Sequence, residues 1–125
     1  MQKTFLLVAS ILGALSVCIG AFGAHALKAR LEAIHRLETF ETAVKYQFYH
    51  TFAILAVALL LEKIANKSLE YAGWSFLGGI IIFSGSLYIL CLTGVTKWGA
   101  VTPLGGLLFI IGWVLLGWSV SKSVF

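Results

Sequence analysis

The sequence predicts an all-α membrane protein with four transmembrane helices and a short interfacial amphipathic helix between the first and the second. Three observations predict it. Of 125 residues, 60% are hydrophobic and only 11% charged, whereas a soluble domain carries about 45–50% apolar and about 25% charged residues. The mean hydropathy is +0.98. The apolar residues also gather into runs that match a hydrocarbon core of about 30 Å, which takes about 20 helical residues to cross. The charge deficit excludes intrinsic disorder and argues against a water-soluble globule. The length suits a single integral membrane domain over residues 1–125.

The first span runs over about 4–27, from Thr4 to Leu27. A signal peptide beginning at Lys3 is the competing reading, but a signal core holds only about 7–15 apolar residues and this run is longer. The second span is expected over about 45–63. Its purely apolar part, Phe52 to Leu61, reaches only about 15 Å at 1.5 Å per residue. To cross, the helix must also take in Lys45, Tyr46, Gln47, Tyr49 and His50. The third span covers about 71–92 and the fourth about 102–119. Pro103, the only proline, falls in the first turn of the fourth span, where its missing N–H costs nothing.

The stretch over about 28–44 carries apolar residues at Leu31, Ile34, Leu37, Phe40 and Val44, in steps of 3 and 4 that mark a helix with one apolar stripe. Lys28–Glu32, Glu32–Arg36 and Glu41–Lys45 stand at i,i+4 spacing on the other face. This is expected to be the interfacial helix. An arm packing on the bundle is the alternative. Four spans leave both termini on one side, A, with Lys3, Lys63, Lys67 and Lys122, against Lys28, Arg30, Arg36, Lys45 and Lys97 on side B. The positive-inside count is therefore balanced. The three Glu of the B-side stretch tip the expectation towards cytoplasmic termini. Tyr71, Trp74 and Trp118 suit an aromatic belt on side A, Tyr46 and Trp98 one on side B.

The formal net charge is +4, but the basic residues are scattered at span ends, which fits lipid headgroups rather than nucleic acid. Cys18 and Cys91 sit in apolar runs without metal or redox spacing. There is no Asp, no His-x-x-x-His pair, no Gly-x-Ser-x-Gly and no phosphate loop. No cofactor and no metal site is expected. Asn66-Lys67-Ser68 matches a glycosylation sequon, a pattern with many false positives.

Small residues recur at helix-packing spacing: Ala9 with Gly13, Ser16 with Gly20 and Ala24, Ser75 with Gly79, then Gly85, and on the fourth span Gly105, Gly106, Gly112 and Gly117. Such faces let backbones approach closely in lipid. They suggest a tight bundle, a homo-oligomer or a larger membrane complex. All four spans also deliver polar side chains to side B: His25, then Lys45, Tyr46, Gln47 and His50, then Tyr88 and Thr93, then Thr102. Ionisable groups below the headgroups are costly and point to function by default. The structural alternative is that the histidines hydrogen-bond across helices while Lys45 snorkels to the interface.

Several ordered motifs resemble those of family 423 of domains of unknown function, also called the transmembrane protein 256 family. They are Gly20-Ala-Phe-Gly-Ala-His25-Ala-Leu27, Glu41-Thr-Ala-Val-Lys45-Tyr-Gln-Phe-Tyr-His50, Phe83-Ser-Gly-Ser-Leu-Tyr88 with Leu92-Thr-Gly94, and Thr102-Pro-Leu-Gly-Gly106 with Gly112-Trp113. The resemblance covers nearly the whole chain except Lys28–Leu37. It implies a small four-helix membrane protein, in bacteria of the cell membrane, and supplies no activity.

Taken together, the sequence leads to a non-enzymatic accessory or assembly subunit, with the lipid bilayer and self or a larger complex as partners. The alternative is a ligand-, ion- or proton-handling protein. In it, Lys45 attracts an anion, His50 exchanges a proton, and Tyr46 and Gln47 orient the bound group beside His25. A bis-histidine haem site and an enzyme acting on a lipid or quinone are the remaining classes.

Overall fold

The computed structural model describes residues 1–123 and is helical throughout, with no strand among them. Four stretches are long and apolar enough to cross a membrane: Gln2–Ala24, Leu37–Leu60, Lys67–Thr93 and Thr96–Ser121. In chain order the elements are α1 (Gln2–Ala24), α2 (Lys28–Ala33), α3 (Leu37–Leu60), α4 (Lys67–Gly79), a π-helical segment (Ile80–Ser84), α5 (Gly85–Thr93), a 3₁₀ turn (Thr96–Ala100) and α6 (Thr102–Ser121). Three boundaries have a clear local cause. Asn66 caps α4, its side-chain oxygen accepting from the Leu69 N–H at 2.8 Å, which gives the sequon asparagine a structural job. Gly94 ends α5 at φ 71°, a left-handed conformation that glycine adopts freely. Pro103 lies in the first turn of α6, as expected.

The charged stretch expected as one helix over 28–44 is divided. Helix α2 stops at Ala33, and residues 37–44 belong to α3, so the helix of the second span starts eight residues earlier than 45. The break is a Schellman-type turn. The Arg36 N–H donates to the Leu31 carbonyl at 2.8 Å and the His35 N–H to the Glu32 carbonyl at 3.1 Å. His35 takes the left-handed position at φ 55° that glycine usually fills. A histidine there is uncommon for an L-residue. His35→Gly should therefore be neutral or stabilising by about 0.5–1 kcal/mol, whereas a β-branched His35→Val should be destabilising by a similar amount or more. Unfolding in detergent mixed with sodium dodecyl sulfate would rank the two. Of the three expected i,i+4 ion pairs in this stretch, Lys28–Glu32 forms at 3.9 Å. The other two are absent from the ion pairs among the described residues.

The bundle is two helix pairs side by side, α1 against α3 and α4 against α6, joined by α3 lying on α4, the π segment and α5. The inner helices carry the core. In the third and second spans 44% of the most apolar window is buried, against 17% in α1 and α6. Most of the core, including Phe5, Ile54, Leu69, Phe76, Ile80 and Phe109, is one cluster. A second, smaller one sits under α2, where Leu31 packs with Phe40 and Cys91. Helix α2 is further tied down by the Arg30 guanidinium, which donates to the Leu92 carbonyl at 3.0 Å.

Lipid tails are as apolar as leucine, so helices in a bilayer associate by close fit rather than by hydrophobic exclusion. Here the fit is phenylalanine against glycine. Phe76, Gly79 and Phe83 on the third span face Gly112, Phe109 and Gly105 on α6. A Cβ placed on Gly79 would lie 2.4 Å from the Phe109 ring, one on Gly112 2.6 Å from the Phe76 ring, and one on Gly105 2.3 Å from the Phe83 backbone nitrogen. The residues step by 3 and then 4 along one helix and by the same intervals in reverse along the other, an antiparallel zipper with knobs from both sides. The same device joins α1 to its neighbours: Phe40 fills the space beside Gly23, and Phe5 that beside Gly73.

Of the glycines singled out from the sequence, Gly79, Gly105 and Gly112 are thus consumed inside the bundle. Gly20 lies close to Val44, Gly13 and Gly106 make ordinary contacts, and a Cβ on Gly85 would meet nothing within 4 Å. Gly23 and Gly73 serve the same purpose, although neither stands at the small-residue spacing of the faces named from the sequence.

Candidate functional site

The polar side chains of the B-side half do meet, chiefly by closing on one another. Gln47 is buried on α3. Its Oε1 accepts from the Tyr88 hydroxyl of α5 at 2.7 Å, and its Nε2 donates to the Leu12 carbonyl of α1 at 3.4 Å. One amide therefore bridges three helices. Thr51 returns its hydroxyl to the Gln47 carbonyl at 2.6 Å. The Ser84 hydroxyl, in the π segment, donates to the Ala43 carbonyl of α3 at 2.7 Å. Ser86 and Thr102 join α5 to α6 at 2.6 Å. A π-turn inside an α-helix places an extra residue in the ring and often marks a site of special geometry. Here it directs Ser84 to α3 while the adjacent Phe83 backbone abuts Gly105.

His50 is also buried, at 5% exposure. Its ring lies parallel to Phe109, with centroids 3.5 Å apart and an angle of 7°, and Phe76 flanks it at 5.7 Å. The indole N–H of Trp113 reaches His50 Nε2 at 3.2 Å. Trp can only donate, so Nε2 accepts. Nδ1 then carries the ring proton and donates to the Tyr46 carbonyl at 2.8 Å. Both ring nitrogens are engaged, with the tautomer assigned from its neighbours. Interhelical hydrogen bonds in membranes are worth about 0.6 kcal/mol on average and up to about 1.7. Trp113→Phe should accordingly lower stability by about 1 kcal/mol without altering the fold, seen as an earlier midpoint in the same detergent titration.

The five residues expected to form a pocket are not brought into one cavity. Gln47 and His50 face inward. Lys45 and His25 are exposed. Tyr46 is 39% exposed, with its ring tilted against Phe83 at 4.7 Å. His25 caps the end of α1 and lines a surface recess with Cys18, Ala21, Phe22 and Ala26, away from His50. Lys45 borders a different recess, with Gly20, Gly23, Ala24, Phe40, Glu41 and Val44. Buried Ser84, half-buried Tyr88 and the half-exposed Trp113 complete the set of interhelical partners. Tyr88 was visible in the sequence as a polar residue at that end, whereas Trp113 appears there as part of the Gly112-Trp113 motif, with no sign of its bond to His50.

Among the described residues no group of three or more His, Cys, Asp or Glu side chains is placed to hold a metal ion. A haem held between His25 and His50 would require His50 to give up either Trp113 or the Tyr46 carbonyl and His25 to turn inward. The arrangement does not fit that group.

Comparison with known proteins places these features in context. Residues 19–106 match the family model described as protein of unknown function (DUF423). The chain is 42% identical over 116 residues to the UPF0382 membrane protein YwdK of Bacillus subtilis, covering 92% of this chain and 94% of that one. It is 42% identical to a UPF0382 membrane protein of Haemophilus influenzae, covering 98% of each. It is 41% identical to one of Staphylococcus epidermidis over 92% and 93%. No solved structure matches.

Proposed function

The chain belongs to the DUF423 (UPF0382) family of membrane proteins, and from that premise we propose that it is a small non-enzymatic accessory or assembly subunit of the bacterial cell membrane. One observation carries the reading. The buried polar side chains are all satisfied within this chain: Gln47, His50, Ser84 and Ser86 each reach a neighbouring helix, as structural clasps do, while Ser16, Thr51 and Ser119 return their hydroxyls to their own helix. A carrier or an enzyme needs such groups free to meet a substrate. The outer helices α1 and α6 keep broad apolar faces turned outward, and Gly85 and Gly117 leave open space at the surface, where another helix can approach.

Purification in mild detergent without a crosslinker tests this. The expected result is a particle heavier than one copy, containing either a second copy or another membrane protein. Recovery of the monomer alone overturns the reading. A proton-handling role for His50 has less support, because both its ring nitrogens are already engaged. The termini are proposed to be cytoplasmic, so a C-terminal fluorescent-protein fusion should fluoresce and a C-terminal alkaline phosphatase fusion should be inactive.

A further inference from the structure

Along the outward side of the α1–α3 seam lie two recesses. One, of about 310 Å³, is bordered at the side-B end by Gly20, Ala24, Glu41 and Lys45. The other, of about 290 Å³, lies deeper and is bordered by Ser10, Gly13, Ala14, Phe48, Phe52 and Leu55. On α3 the bordering positions 41, 45, 48, 52 and 55 step by 3 and 4. On α1 the bordering positions 10, 13, 14, 20 and 24 lie on one side of the helix, with 10 and 14, and 20 and 24, each one turn apart. The recesses therefore follow one line down one face. From Lys45 to Leu55 that line descends about 15 Å at 1.5 Å per residue. This is half of the ~30 Å hydrocarbon core, the depth of a single leaflet.

At the top of the line stand two opposite charges in a fixed axial order. Glu41 and Lys45 are both exposed, and they form no ion pair with each other among the described residues, where Lys28–Glu32 and Lys67–Glu70 are the pairs found. Helix α3 enters from side B, so the carboxylate lies one turn nearer the water and the ammonium one turn nearer the hydrocarbon. A phospholipid with an amine headgroup carries its charges in the complementary order: phosphate next to the glycerol, ammonium beyond it.

We propose that this seam seats one zwitterionic, amine-headed phospholipid of the phosphatidylethanolamine class. Its phosphate sits on Lys45, its ammonium on Glu41, and one acyl chain lies down the groove past Phe48 and Phe52. The proposal goes beyond the assembly reading and is tested without any protein partner. The full-length protein is delipidated in detergent and incubated with mixed micelles of equimolar phosphatidylethanolamine and phosphatidylglycerol, and retained lipid is counted by native mass spectrometry.

The wild type should keep one lipid and prefer phosphatidylethanolamine by about fivefold, the scale of one exposed ion pair. The exchange of Glu41→Lys with Lys45→Glu conserves net charge and touches only exposed side chains, and it should abolish the preference. Ala14→Trp, which fills the deeper recess, should lower retention of both lipids. Circular dichroism confirms folding of each variant. Equal retention of the two lipids by the wild type, an exchanged variant that still prefers phosphatidylethanolamine, unchanged retention in Ala14→Trp, or a second protein copy crosslinked through residue 14 would each overturn the proposal.

Discussion

Gly105→Ala is expected to be the most damaging single methyl group that can be added to this protein. The new Cβ would lie 2.3 Å from the Phe83 backbone nitrogen and 2.7 Å from its Cα. A flexible side chain could swing aside, but backbone cannot. Either α6 must withdraw from the π segment or the segment must deform. Overpacking of a tight interior costs about 1–3 kcal/mol, occasionally more, and the upper end applies where the obstacle is main chain. Withdrawal would also part Ser86 from Thr102, which meet at 2.6 Å one turn away. The control is Gly117→Ala on the same helix. No atom lies within 4 Å of that Cβ, and removing a helical glycine should be neutral or stabilising by about 0.5–1 kcal/mol. Unfolding midpoints in dodecyl maltoside titrated with sodium dodecyl sulfate should separate the two by several kcal/mol. Equal midpoints would mean that α6 and the π segment are not in close backbone contact.

Gln47→Leu should be the second most damaging. The substitution keeps volume but removes the acceptor for Tyr88 and the donor to Leu12 in one step. Two interhelical bonds at about 0.6–1.7 kcal/mol each are lost, and a phenolic hydroxyl is stranded in a half-buried position, for a total of about 2–3 kcal/mol. Tyr88→Phe alone should cost about 1 kcal/mol. Combining the two should cost less than their sum, because the double variant no longer strands a hydroxyl. Such non-additivity is the signature of two residues in one network. Strict additivity would show that Tyr88 and Gln47 act independently.

Span number and approximate position were legible because length and hydropathy answer to the thickness of the bilayer, a one-dimensional constraint. Pro103, Gly79, Gly105 and Gly112 were legible for similar local reasons. The division of the charged stretch was not. The apolar stripe through Leu31, Ile34, Leu37, Phe40 and Val44 keeps helical steps straight across the break, and the left-handed residue that makes the turn is a histidine instead of the usual glycine.

The candidate site was half legible. Span length alone forced Gln47 and His50 below the headgroups, and the structure puts both inside the bundle. Tyr46 and His50, one turn apart, share a face, their rings stacked with centroids 6.0 Å apart, while Gln47, three positions from His50, is buried to 3% exposure. What a linear pattern could not supply were the partners: Tyr88 lies 41 residues from Gln47 and Trp113 lies 63 from His50. Both pairings arise only once the two helix pairs are set side by side.

The reciprocal arrangement of phenylalanine and glycine between the third span and α6 has an evolutionary consequence. Two of the contacts, Phe109 with Gly79 and Phe76 with Gly112, set a ring on one helix into a notch on the other, so the glycine is not free to enlarge by itself. A larger residue in the place of Gly79 is admissible only in a lineage that has already shortened Phe109, and the same holds for Phe76 with Gly112. Substitutions at these two contacts are therefore expected to come in compensated pairs. A relative that had exchanged bulk across such a contact would keep the same fold with a sequence that, read one position at a time, looks as though it has lost it.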